Sequence, residues 1–349
     1  MASIRKLLEK ETISASAPSR VDSGGTWDIK GMALPLEGIG PVTVNIALSL
    51  RTRVSLRPFD KGWIKISSEG FDSSEAFPAG QAPFDSDFGL YFAAVSHFGF
   101  NGLEVAIHSQ SPVKSALGGS STALVALVKA LGKAAVRLGG KALVKHRIVS
   151  LAYRLEDGIG GGFCGIQDQA AAAYGGVNLW EWTYGKAGIP FKRTPLLDRR
   201  GQKALSNRLL VAYSGISHAS LPTNRKWIRD FFSGSTRQAW VEINKKVARF
   251  AEAVRQHRWS TAAGLLREEL ALRKTITPEA LIPIAERLIH QAEEAGCGSR
   301  FAGAGAGGSL WAIGESRDID ELRGQWTETL GPVDGAGILD CGVDSVGVK

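Results

Sequence analysis

Two loops of small residues and a handful of carboxylates are the places in this 349-residue chain where chemistry can occur. The first loop is residues 111–123, SPVKSALGGSSTA. A strand-like run, residues 103–109 (LEVAIHS), leads into it, and a helical period follows at once. Small residues let backbone N–H groups close on an anion, and a helix N-terminus adds unpaired donors and the positive end of a dipole. Ser120, Ser121 and Thr122 supply hydroxyls for capping or for a magnesium ion. An ordinary serine-capped helix after a glycine turn has the same local pattern, so the loop alone does not decide. It is not a Walker A loop, because no Gly-Lys pair is followed by Ser or Thr. The second loop, residues 303–308 (GAGAGG), fits GxGxxG but follows a helix and precedes a strand. A dinucleotide fingerprint requires the reverse order. What remains is a loop that lets backbone approach something closely.

Glu156 ends a helical pattern, and Asp168 begins another in GIQDQ, so the two flank the Gly-rich stretch 158–165. A buried Asp can orient or deprotonate a hydroxyl, and a Glu can hold a metal. Taken alone, an Asp in the position of Asp168 is more often a helix N-cap. Arg20, in SAPSRVDSGGTWD, can hold an anion, and Asp28 follows a Ser-Gly-Gly-Thr turn where a carboxylate can accept two sugar hydroxyls. The six histidines show no HxxxH or HExxH spacing, and no GxSxG elbow exists. Asp87-Phe88-Gly89 spells DFG without an accompanying HRD loop or VAIK strand, and is read as coincidence.

These residues need a scaffold of strands and helices. Residues 41–57, 61–67 and 103–109 read as strands, and helices are expected over about 120–138, 141–156 and 167–174. Residues 185–203 are polar with two prolines and form a candidate linker. Residues 209–214 open a second region as a strand, long helical patterns cover about 236–256, 259–274 and 278–295, and a strand follows at 309–314. Strands followed by helices, twice over, give an α+β fold with two domains, residues 1–200 and 201–349.

Composition agrees with a globular chain: 44% hydrophobic and 22% charged residues, and 42 glycines. Three widely spaced cysteines, Cys164, Cys297 and Cys341, exclude a disulfide scaffold or a CxxC zinc site and suit a reducing compartment. The first twenty residues lack a secretory apolar core, and no apolar run is long enough for a bilayer, so a cytoplasmic location is expected. The net charge of +8 is concentrated in residues 101–300. A polyanion partner is one reading. Lys129, Lys133 and Arg137, however, recur at helical spacing opposite Leu124, Leu127, Val128 and Leu131, the pattern of a solvated helix stripe.

The order of the loops adds what each lacks singly. The chain resembles the GHMP kinases, a family with an N-terminal first motif, a central P-x-x-x-G-L-G-S-S-A loop and a C-terminal Gly-Ala-Gly-x-Gly-Gly loop. Residues 17–28, 112–123 and 301–308 are similar to these in turn. Residues 165–182 (GIQDQAAAAYGGVNLWEW) resemble a segment of the heptose 7-phosphate kinase and L-fucokinase branch. The central loop departs from the motif with Ala116 for its first Gly and Gly119 for its first Ser. Trp27 stands between Thr26 and Asp28 in the first motif, and His218 stands where the branch carries Arg.

The resemblance implies a two-domain GHMP kinase fold, with a ribosomal protein S5 domain 2-like N-terminal domain and a ferredoxin-like C-terminal domain. It implies ATP and Mg2+, with Pro112, Ser115, Leu117, Gly118, Gly119, Ser120 and Ser121 around the nucleotide phosphates. Ser120 and Glu156 would be the magnesium ligands, or Ser121 if the loop register shifts by one. Asp168 would be the catalytic carboxylate, with Arg20 beside it near the transferring phosphate. Asp28, Gly303, Gly305 and Gly307 would line the substrate. The implied activity is transfer of phosphate from ATP to a sugar or sugar phosphate at the anomeric hydroxyl. A mevalonate- or homoserine-type alcohol, or a non-catalytic sensor of sugar and ATP, are the alternatives. The partners expected are the small-molecule substrate and, as an option, a second copy in a homodimer, with no nucleic acid and no membrane.

Overall fold

The structure, a computed structural model, describes residues 4–25, 27–69, 74–186, 188–217 and 220–349. Thr26 and His218 of the sequence reading lie outside the described residues. The first half runs α1 (Ile4–Leu8), β1 (Ile13–Asp22), α2 (Lys30–Ala33), β2 (Val42–Pro58), β3 (Trp63–Ser68), β4 (Glu75–Pro78), α3 (Gly89–His97) and β5 (Leu103–Ser109). It continues with α4 (Gly119–Arg137), α5 (Lys145–Ile159), α6 (Gln167–Tyr174), β6 (Val177–Trp182) and β7 (Phe191–Pro195). The second half runs α7 (Arg199–Ser206), β8 (Leu209–Tyr213), α8 (Ser220–Ser233), α9 (Arg237–Arg255), α10 (Trp259–Ile276), α11 (Pro283–Glu294), β9 (Gly298–Phe301), β10 (Ser309–Ile313), α12 (Ser316–Leu330) and β11 (Gly337–Ile338).

β1 to β7 form one seven-stranded sheet in the order β4-β3-β5-β2-β6-β7, with β1 also paired to β2. Only β3 and β5 run parallel. β8 to β11 form a second, antiparallel sheet in the order β11-β8-β10-β9. Numbered along the chain, that order is 4-1-3-2, the ferredoxin-like arrangement. The architecture is therefore the α+β, two-domain fold expected from the sequence.

The helices form where apolar residues recur at helical spacing. α4 is apolar enough by composition to cross a membrane, but 67% of its apolar window is buried, because it lies against β1 and β2 as a core helix. Its basic stripe is used locally: Lys133 Nζ donates to the Ser14 carbonyl at 2.7 Å, and Arg137 pairs with Glu11 at 3.4 Å. These two residues follow the solvated-stripe reading.

Two elements differ from the sequence reading. Residues 185–203 are not a linker. They carry β7, which pairs with β6 from Asn178↔Pro195 to Trp182↔Phe191, and the start of α7, capped by Asp198 accepting from Gly201 N at 2.7 Å. Pro195 is tolerated because β7 is an edge strand. The chain end also returns to the first sheet. Lys349 and Ser16 exchange backbone hydrogen bonds, both 3.0 Å, Val343 bridges Leu48, and Asp344 is paired with Arg51. Arg51 also donates to the Ser16 and Gly347 carbonyls at 2.8 Å each, so this guanidinium gathers the tail onto β1 and β2.

Removing one partner of such a well-buried pair leaves the other charge uncompensated, a loss of about 3–5 kcal/mol where the pair is fully buried. Asp344→Ala should lower the free energy of unfolding by about 3 kcal/mol, read from a urea midpoint. An unchanged midpoint would mean that the tail is not part of the folding unit.

Candidate active site

The site begins where β1 leaves the sheet. The register against β2 shifts between Pro18 and Arg20, at the residue whose ring removes a ladder donor. Arg20 and Asp22 are two positions apart on a strand and so share a face. Arg20 is 5% exposed and Asp22 4%.

Arg20 reaches the central loop and α6 together. Its Nε donates to Asp168 Oδ1 at 2.7 Å, its Nη1 to the Ala116 carbonyl at 2.8 Å, and its backbone N–H to the Leu117 carbonyl at 3.1 Å. Burial opposes the Arg20 charge, but Asp168 and then Asp22 outweigh it and hold its pKa above the ordinary value. Asp168 sits in the first turn of α6, and the N-cap there is Ile166 with no side-chain bond. Asp168 is therefore not the cap of its helix. Its carboxylate faces Gly118, where a Cβ would come within 3.0 Å of Oδ2.

The central loop turns through left-handed backbone at Lys114, Ala116 and Gly118. Ala116, with φ of +63°, occupies the place of the motif's first glycine in a conformation that glycine adopts without strain. The Arg20 bond to its carbonyl helps hold it there. Ser309 N donates to the Ser115 carbonyl at 2.9 Å. With three successive carbonyls turned toward Arg20 and Ser309, the loop opens into α4, whose first-turn N–H groups have no intrahelical partner. Leu117 is fully buried, so its part in the loop is a backbone one. Pro112 is half-buried, and Gly118 and Gly119 lead into the exposed Ser120.

Glu156 is held beneath that helix start. Ser120 Oγ donates to Oε1 at 3.0 Å, Ser121 Oγ to Oε2 at 2.7 Å, and Gln169 Nε2 to Oε2 at 2.6 Å. Ser121 is buried, whereas Ser120 is exposed, so Ser120 presents the accessible hydroxyl. Burial pushes the Glu156 carboxyl above its ordinary pKa, and the three donors that meet it are two hydroxyls and an amide, all neutral. A half-buried carboxylate beside an exposed hydroxyl is a hard-oxygen donor set that fits magnesium, with its other positions left for phosphate and water.

Asp28 is 1% exposed. Gln167 N donates to its Oδ2 at 3.2 Å, a Cβ on Gly165 would fall 1.7 Å from that oxygen, and Oδ1 has no hydrogen-bond partner among the described residues. Burial, and then the Asp168 charge, raise its pKa to about 7. The sequence suggests an ionised sugar acceptor at Asp28. The structure shows a carboxyl whose ionisation burial opposes, with one oxygen unmet among the described residues.

The second glycine loop closes against the first. A Cβ on Gly308 would come 2.7 Å from the Ala116 Cβ, and one on Gly303 would meet the Ala116 carbonyl at 3.4 Å. Gly303 N donates to Asp22 Oδ1 at 2.9 Å. Gly303 thus reaches the Arg20 centre. Gly305 packs on Ala280, and Gly307 on the carbonyls of Ile216 and Ser217, so these two shape the loop from its far side.

Sequence reasoning missed Asp22 and Arg300. Arg300, fully buried at the end of β9, donates to Asp22 Oδ2 at 2.7 Å and to its carbonyl at 3.0 Å. Burial alone would raise the Asp22 pKa, but Arg300 and then Arg20 bring it below the ordinary carboxylate value. The alternation Arg20-x-Asp22 was the available signal. Arg300 had none, because a lone arginine before a glycine loop carries no pattern.

The comparisons fit this geometry. Residues 89–176 match the GHMP kinases N terminal domain and residues 250–331 the GHMP kinases C terminal domain. The chain belongs to the GHMP kinases, phosphotransferases that act on a hydroxyl. It is similar to the D-glycero-alpha-D-manno-heptose 7-phosphate kinase of Campylobacter jejuni, 26% identical over 86% of this chain and 89% of that one. It is similar also to the mevalonate kinase of Pyrococcus horikoshii, at 24% over 87% and 89%. Streptococcus pneumoniae phosphomevalonate kinase, solved with phosphomevalonate and AMPPNP, shares the fold with a TM-score of 0.75, at 14% identity over 95% of this chain and 100% of that one.

Asp28 yields a pH test. Its pKa is raised from the ordinary value, so the stability it contributes is full in acid and is lost as pH rises through about 7. Asn at this position cannot ionise. The stability of Asp28→Asn relative to the unaltered protein should therefore rise between pH 5 and 7, by up to ~1.4 kcal/mol per pH unit. A difference independent of pH, measured by urea unfolding, would show that Asp28 is already ionised at pH 5.

Proposed function

We propose that this protein transfers the terminal phosphate of ATP to the anomeric hydroxyl of a sugar or sugar phosphate. The observation that carries the reading is the 2.7 Å bond from Arg20 Nε to Asp168 Oδ1, set beside the loop that opens α4. Asp168, 21% exposed at its side chain, is the group placed to accept the proton of the acceptor hydroxyl. Arg20 fixes the orientation of that carboxylate and adds positive charge where the transferred phosphoryl group passes. The N–H groups at the start of α4 hold the nucleotide phosphates. Phosphoryl transfer depends mostly on positioning and charge stabilisation, and these residues supply both.

Ser120 and Glu156 would hold magnesium, which when bound neutralises phosphate charge. Asp28 is the candidate for the sugar: its Oδ1, unpartnered among the described residues, is open to a hydrogen bond with a sugar hydroxyl. The likeness to the heptose 7-phosphate kinase of Campylobacter jejuni supports the sugar class. A non-sugar alcohol is the second reading, supported by the likeness to mevalonate kinases. Three free cysteines suit a reducing, ATP-containing cytoplasm.

A coupled ADP-release screen over free sugars, sugar phosphates, mevalonate and homoserine tests the substrate class, and turnover confined to mevalonate or homoserine would overturn the sugar reading. With the accepted substrate, Asp168→Asn should lower kcat by roughly 10²–10⁴-fold with little change in the KM for ATP. Near-normal turnover would remove Asp168 from the mechanism.

A further inference from the structure

The turn that carries Gly165 to Asp28 also carries Phe163, and Phe163 forms one wall of a cavity of about 520 Å3. The opposite wall is one face of α8, with Arg225, Lys226, Ile228, Arg229 and Phe232. These positions recur three and four apart and so line a single face. The lining has three cations and no carboxylate.

The three cations are not equivalent. Lys226 is committed to Asp230 at 3.0 Å and Glu279 at 3.4 Å. Arg229 lies 3.7 Å from Asp230 with its side chain 77% exposed. Arg225 stacks on the Phe163 ring, with its guanidinium 5.1 Å from the centroid, and it has no carboxylate partner among the described residues. A guanidinium held over an aromatic face and free of a carboxylate keeps its N–H donors for an anion, and a phosphate can accept two of them.

The cavity adjoins the proposed acceptor site. Phe163 is two residues from Gly165, so their Cα atoms are at most about 7 Å apart. Asn224 Nδ2, on α8, donates to the Phe163 carbonyl at 3.1 Å, which ties the helix to the turn. The Gly31 α-carbon, three residues beyond Asp28, is backed by Phe232 and Ile228 at 3.6 and 3.9 Å from an added Cβ. The segment bearing Asp28 and the cationic face of α8 therefore share an apolar wall.

We propose that this cavity is a second anion subsite, which receives a phosphate already carried on the acceptor at the end remote from the reacting hydroxyl, with Arg225 as its main grip and Arg229 as the neighbouring charge. The proposal rests on the sugar-kinase reading and narrows it from sugars to sugar phosphates.

The test compares an aldose with its own terminal phosphate, as mannose with mannose 6-phosphate and as a manno-heptose with its 7-phosphate. Because Arg225 is exposed, its variants are expected to fold. The ratio of kcat/KM, phosphorylated over free sugar, should exceed about tenfold, and Arg225→Ala should lower that ratio by about tenfold through KM. Arg225→Lys should restore part of it, and Arg225→Ala with Arg229→Ala should lower it further. Inorganic phosphate should compete with the sugar phosphate, more weakly in the variants. Equal use of both sugars, a ratio unmoved by the double variant, or a rise in the KM for ATP instead would overturn the subsite while leaving the sugar kinase intact. Turnover of mevalonate or homoserine with no sugar of either kind would instead overturn the sugar reading, and the subsite with it.

Discussion

Asp22 is the constraint on which the rest of the site depends. It is an ionised carboxylate buried between the two sheets, and a charge there persists only if cations and donors surround it. Arg300 comes from the second sheet, Arg20 from the same strand at 3.8 Å, and Gly303 N from the C-terminal glycine loop. Trp311 Nε1, on the central strand of the second sheet, donates to the Asp22 carbonyl at 3.1 Å. Arg300 is in turn 3.5 Å from Glu269, which Arg273 binds at 2.8 Å. The two domains therefore meet through a charged cluster whose members are each nearly or wholly buried. Such a cluster is a poor source of net stability. What it supplies is a fixed register between the two glycine loops.

That register explains why small residues crowd both loops. The loops touch at Gly308 against Ser115 and Ala116, where even the Cβ of an alanine would come within 2.7 Å and part them. Arg20 stands at the seam and binds the Ala116 carbonyl, the Leu117 carbonyl and Asp168 together. An aromatic group made by Trp27, Phe231, Trp240 and Trp227 packs α8 and α9 beside the Asp28 turn, with the Arg273 guanidinium over Trp240 at 4.3 Å. The same buried arginine thus braces the Asp22 cluster and the aromatic packing.

Much of this was legible in the sequence. The strand at 103–109 and the helix at 167–174 match β5 and α6 residue for residue, because sharp turn residues bound them. Ser120, Glu156, Asp168, Arg20 and Gly303 are gathered by the fold around the central loop. β7 and α7 were hidden in a polar stretch, since an edge strand exposed on one side needs few apolar residues. α8 carries a helical spacing in Trp227, Ile228 and Phe231 that the sequence analysis left unassigned. The return of the chain end to Ser16 is set by partners far away in sequence, and no local period records it. The Asp22–Arg300 pair is of the same kind, 278 residues apart.

The most direct measurement is kcat for Asp22→Asn at saturating ATP and acceptor, on protein shown by its unfolding transition to be folded. Asparagine keeps the shape and the acceptor for Gly303 but removes the charge that Arg20 and Arg300 share. If Asp22 sets the geometry of the transfer site, kcat should fall at least about tenfold, the effect of ~1.4 kcal/mol in the transition state, while the KM for ATP moves less. A folded variant with reduced stability and unchanged kcat would contradict this, and would leave Asp22 as a domain tie that the chemistry does not use.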